Sequence, residues 1–319
     1  MVIVDRKTPE PRAGEVLVNW RASSLNYHDY MVALGLIKTA DGRVPMSDGA
    51  GEVSAVGEGV TQWQPGDKVM SLFFSQWQNG RPTLTKTQSI SGDTADGFAL
   101  EYSCVAADAL TRIPSGYSFE EAATLPCAAL TAWRALMVEG NLQAGDSVLI
   151  QGSGGMSIFA LQIAKAAGAY VYATSSSEEK MLRLKSIGAD EVFNYRTDSR
   201  WGKTITKHSG GVDHVLDVGA DATFKHSVDA VAMGGHIALI GVLGGITAEM
   251  MMPTMFYKQV KMTGLAVGSR EMQEKMIAAI ETNKIIPVID KCFAFDELSQ
   301  AFEYQASGTH FGKVVVSFP

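Results

Sequence analysis

Val148-Leu-Ile-Gln-Gly152-Ser-Gly154-Gly155-Met-Ser157-Ile-Phe-Ala160 decides the fold. Apolar residues of strand type run into a glycine cluster, and an apolar helical pattern starts straight after it. A strand that turns on glycine into a helix gathers the first helical amides and the positive end of the helix dipole at one point, which suits a pyrophosphate. Gly152 permits the tight turn, Gly154 lets backbone approach a ligand, and Ser157, in the third glycine position, is small enough for close helix–strand packing. The backbone of Gly152, Ser153, Gly154, Gly155 and Met156 therefore reads as a dinucleotide cradle. A glycine triplet alone can be a plain turn; the strand before it and the second strand beyond it carry the reading.

Outward from this loop, strand and helix patterns alternate. Strands are expected at 147–151, 170–174 and 191–194, helices at 156–167 and 178–187, and further apolar runs of strand length at 212–218 and 236–242. Strands spaced by helices mean a parallel, doubly wound α/β sheet. Ser118 and Glu121 form a capping box that opens the first helix of this half. Upstream the texture differs, with short strands at 15–21, 49–59 and 68–72 broken by glycine. A polar stretch at 75–97 reads as an exposed loop, long enough to serve as a lid. After Ile289 only a helix at 296–306 and a strand at 313–318 remain, too little for a domain, so they are expected to return to the first one.

Cofactor preference is written at the end of the second strand. A carboxylate there would grip the ribose 2′-hydroxyl of NAD and repel a 2′-phosphate. This chain has Thr174-Ser175-Ser176-Ser177, with Glu178 and Glu179 only afterwards and then Lys180. Hydroxyls and a cation suit a phosphate, so NADP(H) is expected. The same residues also read as a serine N-cap followed by a solvated lysine, and the two readings are compatible.

Composition excludes several classes. Of 319 residues, 46% are apolar and 19% charged, as in ordinary globular proteins. With 27 basic against 34 acidic side chains the net charge is −7, which speaks against nucleic acid or an anionic membrane as partner. No apolar stretch approaches the ~20 residues of a membrane helix. Where a signal peptide would be apolar, residues 1–14 hold Asp5, Arg6, Lys7, Glu10 and Arg12. A soluble, cytoplasmic protein is expected. Cys104, Cys127 and Cys292 lie far apart and no histidine pair has ligand spacing, so no disulfide framework or local metal motif is present.

Further motifs carry a family resemblance. They are Ser24-Leu-Asn26-Tyr27-His28-Asp29, Asp48-Gly-Ala-Gly-Glu-Val-Ser-Ala-Val-Gly57, Pro65-Gly66-Asp67, Ala122-Ala-Thr-Leu-Pro126-Cys127-Ala-Ala-Leu-Thr131-Ala-Trp133, Ile240-Gly-Val-Leu-Gly-Gly245 and His310-Phe-Gly312-Lys313. Together with the glycine loop, in this order, they resemble the medium-chain dehydrogenase/reductase superfamily over essentially the whole chain. The match is to its zinc-lacking quinone-oxidoreductase-like and alcohol-dehydrogenase-like members. The resemblance implies a mainly β, GroES-like substrate domain over 1–115 and 286–319, a Rossmann NADP-binding domain over 116–285, and an active site in the cleft between them. It also implies a homodimer joined through strands near 260–267. By the resemblance a further strand pair is expected ahead of residue 9; a short form without it, as opposed to a truncated sequence, is expected to leave a ladder edge exposed.

The resemblance also assigns roles residue by residue. Zinc enzymes of the family carry a cysteine where Asn26 stands, a histidine where Ser47 stands, and a cysteine at Cys127. Only Cys127 survives, and a catalytic zinc needs three protein ligands. The span 75–103 has no cysteine for a structural zinc lobe. No zinc is therefore expected, and Cys127 reads as a small buried side chain. Without that Lewis acid, hydride transfer to a conjugated acceptor such as a quinone or enone, where charge is delocalised, is easier than alcohol oxidation. Asn26 and Thr131 are expected near the nicotinamide, and Ser175, Ser176, Lys180 and Tyr195 near the 2′-phosphate. Val242 and Leu243 would pack along the cofactor, and Gly312 and Lys313 would close over it. Asn26, Tyr27 and His28 are the candidate catalytic residues. Tyr27, His28, Tyr30 and Asp48 are candidate proton donors, each with a structural alternative, and relayed solvent is left open. The activity implied is NADPH-dependent reduction of small quinones, enones or related carbonyls. A zinc-free alcohol dehydrogenase, an enoyl reductase, or an NADPH-binding protein with vestigial catalysis are the alternatives.

Overall fold

The computed structural model describes all 319 residues. By their internal contacts they form two compact units, Met1–Leu130 with Val267–Pro319, and Thr131–Ala266. Residues 116–130 and 267–285, expected with the nucleotide-binding half, group with the first unit instead. In chain order the first stretch contains β1 (Glu15–Ser24), α1 (Tyr27–Ala33), β2 (Gly49–Val56), β3 (Lys68–Ser71), α2 (Leu84–Thr87), β4 (Tyr102–Ala106), β5 (Leu110–Arg112) and α3 (Phe119–Ala123). After α4 (Leu130–Trp133) come β6 (Ser147–Gln151), α5 (Gly155–Ala166), β7 (Tyr170–Ser175), α6 (Glu178–Ser186), β8 (Glu191–Asn194), α7 (Trp201–Ser209), β9 (Val212–Asp217), α8 (Phe224–Ala230), β10 (Val231–Leu239), α9 (Met252–Lys258) and β11 (Lys261–Gly264). The chain closes with α10 (Arg270–Asn283), β12 (Ile289–Ala294), α11 (Leu298–Ala306) and β13 (Lys313–Ser317).

In the first unit, alternation along β1 buries Val16, Val18 and Trp20 completely. This strand is the hub of a seven-stranded sheet ordered β12-β13-β1-β2-β3-β5, with β4 also paired to β1. Its ladders with β2, β4 and β13 are all antiparallel. Trp20 packs on Phe98 with ring centroids 4.4 Å apart, and Phe293, Phe302 and Val316 from the returning segment join the same core. The expected capping box forms: the Glu121 N–H donates to Ser118 Oγ at 3.2 Å and the Ser118 N–H to Glu121 Oε2 at 2.9 Å.

In the second unit, all six strands run parallel in the order β11-β10-β9-β6-β7-β8. The order reverses between β6 and β9, the point where such sheets open a crevice at their C-terminal ends. Val148, Leu149 and Ile150 of β6 are fully buried, as a parallel strand covered on both faces requires.

Two expectations need correction. The 75–97 stretch is not simply an exposed loop: Trp77, Ser91 and Asp93 are buried in it, and α2 adds a short helix. Its polar composition concealed the few side chains that anchor it. The returning segment also contributes β12, paired parallel to β13, besides the helix and strand expected. No helix of the chain is long and apolar enough to cross a membrane.

Candidate functional site

The glycine loop of the second unit has the geometry its sequence calls for. Gly152 sits at φ +75°, left-handed backbone that glycine adopts without steric cost. Gly154 is the N-cap of α5 and offers no side-chain cap, so the first amides of the helix stay available to an anion. A Cβ placed on Gly154 would meet no protein atom within 4 Å, so the space above the loop is open. Ser157 ties the helix to β6 by donating to the Gln151 carbonyl at 2.8 Å. The Gly152 N–H donates to the Thr174 carbonyl at 3.0 Å, which fixes the loop against the end of β7.

That strand end gathers the residues expected at a 2′-phosphate. The Ser175 hydroxyl is buried without a hydrogen-bond partner. Ser177 caps α6, accepting from the Lys180 N–H at 3.3 Å, so the plain reading of this serine holds alongside the functional one. The Tyr195 N–H donates to the Ser175 carbonyl at 3.1 Å, which brings Tyr195 beside the strand end.

At the end of β9, Asp217 is a buried hub that sequence reading missed. Its Oδ1 accepts from the Gly219 N–H at 3.1 Å, the Ala220 N–H at 3.0 Å and Thr223 Oγ1 at 2.8 Å. Its Oδ2 accepts from Ser227 Oγ at 2.5 Å, and Ser227 in turn accepts from Gln151 Nε2 at 2.7 Å. A carboxylate directly after the apolar pair Val215-Leu216, at the C-terminal end of the strand, was the available signal. Asp217, Phe224, Leu239 and Val242 help line a pocket of about 290 Å³. Leu243 is exposed and Thr131 is buried.

The first unit builds a polar nest. Asn26 begins α1, and Asp29, one turn on, reaches back so that Oδ2 accepts from the Asn26 N–H at 2.9 Å and Oδ1 from the Ser47 N–H at 2.9 Å. The Asn26 carboxamide donates through Nδ2 to Ser47 Oγ at 3.1 Å and to Asp48 Oδ2 at 2.8 Å. Its Oδ1 accepts from Lys313 Nζ at 2.6 Å, and Lys313 also donates to the Leu25 carbonyl at 2.6 Å. Burial pushes the Asp48 carboxyl up to about 7, against the pull of Lys313, the Asn26 amide and the Cys127 backbone. Burial likewise lowers the Lys313 ammonium, opposed by Asp48, Cys127 and Asp29.

His28 lies at the edge of this nest. Nε2 is 3.3 Å from Asp93 Oδ2 and Nδ1 3.7 Å from Asp29 Oδ1. Burial lowers its pKa, but the two carboxylates outweigh that and leave it raised. Tyr27 is exposed, with its ring 6.1 Å from that of Tyr30. Asn26, His28 and Asp48 are thus brought together, while Tyr27 points outward. Gly312 and Lys313, expected to close over a cofactor, take part in the nest. Gly312 sits at φ +90°, where a Cβ would lie 2.3 Å from the Val288 carbonyl. This close approach leads into β13 and delivers Lys313. Cys127, expected as a small buried side chain, is partly buried.

Comparison with known proteins accords with this architecture. Residues 12–115 match the alcohol dehydrogenase GroES-like domain and residues 155–282 the zinc-binding dehydrogenase family. A zinc-type alcohol dehydrogenase-like protein of Schizosaccharomyces pombe is 42% identical over 313 residues, 95% of this chain and 90% of that protein. A solved NAD-dependent alcohol dehydrogenase superposes with a TM-score of 0.90 at 32% identity, covering 98% of this chain and 94% of the other. A 2-octenoyl-CoA carboxylase reductase, solved with NADP and 2-octenoyl-CoA, gives a TM-score of 0.87 at 26% identity, covering 98% and 81%.

The family description implies zinc, and the donor set here does not fit it. The nest offers an amide already bound to an ammonium, a hydroxyl, one thiol and two carboxylates already engaged by the Asn26 amide and by backbone N–H groups, and no three histidine, cysteine or carboxylate side chains are arranged to hold a metal ion. A nicotinamide dinucleotide does fit, on the open glycine loop and the unpartnered Ser175 hydroxyl. The chain belongs to the medium-chain dehydrogenase/reductase superfamily and is an NAD(P)-dependent oxidoreductase.

Proposed function

We propose that the chain is an NADPH-dependent, zinc-independent reductase that delivers hydride to a conjugated carbonyl acceptor of the quinone or enone type. The observation that carries this is the end of β7. Ser175, Ser176 and Lys180 stand where an NAD-preferring site would hold a carboxylate, and Tyr195 lies beside them. When bound, the cofactor supplies a hydride from nicotinamide C4. The first amides of α5 hold the pyrophosphate, Ser175, Ser176, Lys180 and Tyr195 hold the 2′-phosphate, and Val242 and Leu243 pack along the cofactor, with Thr131 near the nicotinamide. The reduced acceptor is an anion that takes up one proton, and His28, whose pKa its two carboxylates raise against the effect of burial, is our candidate to give it. An enoyl thioester is the second reading, supported by the likeness to the reductase solved with 2-octenoyl-CoA.

A homodimer fits the exposed edge strand β11, where Met262 faces solvent. The test is oxidation of NADPH against NADH over a panel of quinones, enones, enoyl thioesters and aldehydes, with a metal assay on the same sample. A charge-assisted phosphate contact favours NADPH by ~10-fold or more in kcat/KM. Equal use of NADH, aldehydes as the best acceptors, or stoichiometric zinc would each defeat the proposal.

A further inference from the structure

Lys313 heads a strand that continues Val-Val-Val-Ser, and it is only 4% exposed. Apolar packing gives no reason for it, since a methionine would fill similar space. A buried charge is retained where partners hold it. Strand pairing supplies them: β13 lies on β1 and β1 on β2, so residues 313, 26 and 48 become neighbours.

The Asn26 carboxamide stands between an ammonium on its oxygen and a carboxylate on its nitrogen. This charge pattern allows only one orientation, because a flipped amide would face NH₂ to ammonium and oxygen to carboxylate. Both Nδ2 hydrogens are then committed, one to Asp48 and one to Ser47. Asn26 has no donor left for a substrate. The Ser47 oxygen accepts from Asn26, and no hydrogen bond takes up the Ser47 proton, although the residue is fully buried.

We propose that Lys313 and Asp48 are a positioning pair acting through Asn26, and that the Ser47 hydroxyl they orient is the hydrogen-bond donor to the acceptor's developing oxyanion. This rests on the reductase reading above. The donor stabilises negative charge on the acceptor oxygen while hydride is added at the conjugated carbon, and the proton that completes the reaction comes from elsewhere. Asn26, by contrast, is a positioning residue and touches no substrate.

The test uses Ser47→Ala, Ser47→Thr, Lys313→Met, Lys313→Arg, Asp48→Asn and the double variant Lys313→Met/Asp48→Asn. Each is assayed for kcat, KM, NADPH affinity by fluorescence titration, and thermal unfolding. Loss of one oxyanion donor costs on the order of 100-fold in kcat, so Ser47→Ala falls by about that with NADPH affinity unchanged, and Ser47→Thr keeps most activity. Lys313→Met and Asp48→Asn each lower kcat and melting temperature. The double variant melts above the poorer single and is no slower than it, and Lys313→Arg recovers part of the rate. Turnover that Ser47→Ala leaves intact ends the donor role alone. Independent losses at 313 and 48 in both rate and melting, or NADPH affinity falling with Lys313→Met, end the pair. A wild-type protein that binds NADPH but reduces nothing ends the reductase reading and the donor role with it, while the melting cycle still judges the pair.

Discussion

His28 and Asp93, 65 residues apart in the chain, meet with Nε2 3.3 Å from Oδ2. The contact joins α1 to the 75–97 stretch, and the Thr39 hydroxyl, donating to the Asp93 carbonyl at 2.5 Å, steadies the same turn. Burial disfavours a charged His28, and Asp29 and Asp93 more than offset it, so its folded pKa lies above the usual 6.5. A raised folded pKa contributes stability that is fully present below the unfolded value and is lost as pH rises through the folded one. Asp93→Asn should therefore lower the melting temperature more at pH 5.5 than at pH 8.5. The His28 ring titration followed by NMR should move down. An unchanged midpoint would show that Asp93 does not sustain the charge.

The glycine loop separates folding from binding. Gly152, at φ +75°, should not tolerate a Cβ, and Gly152→Ala should destabilise by ~1–2 kcal/mol. Gly154 has ordinary backbone and open space where its Cβ would go. Gly154→Ala should keep the melting temperature yet weaken NADPH at least ~10-fold, since ~1.4 kcal/mol of lost contact gives that factor. Retained affinity in Gly154→Ala would mean that the cofactor does not lie over this loop.

At the end of β7, Lys180→Ala should raise KM for NADPH by ~10-fold or more and leave NADH nearly untouched, because only the phosphate loses a charge-assisted partner. Ser176→Asp should invert the preference by placing a carboxylate against the phosphate. Steady-state kinetics with both cofactors decide it, and equal losses with both would show a structural effect.

Asp217 accepts four hydrogen bonds in the 217–227 segment and is 1% exposed. Asp217→Ala leaves those donors unsatisfied, so a loss of ~3 kcal/mol in unfolding free energy is expected. Denaturant unfolding measures it, and a loss below ~1 kcal/mol would mean that water replaces the carboxylate.

Local pattern alone determined much of this protein. The run from Val148 to Ala160 names its strand, turn and helix, because apolar periodicity, a left-handed glycine and a helix start are all properties of neighbouring residues. Ser118 and Glu121 announce their cap for the same reason. The strand end at Ser175 supports a proposal about the cofactor because a missing carboxylate is visible in any sequence.

Tertiary structure alone decided the nest. Lys313 reaches Asn26 across 287 residues of chain, and Asp93 reaches His28 from a stretch that looked like surface loop. No local signal tells a lysine at the head of a valine strand to bury its ammonium. That follows from the pairing of β13 with β1 and β1 with β2, which places a carboxylate and an amide where the charge must go. The division at Leu130 and Val267 has the same origin, since packing partners, not chain neighbours, decide where a segment belongs.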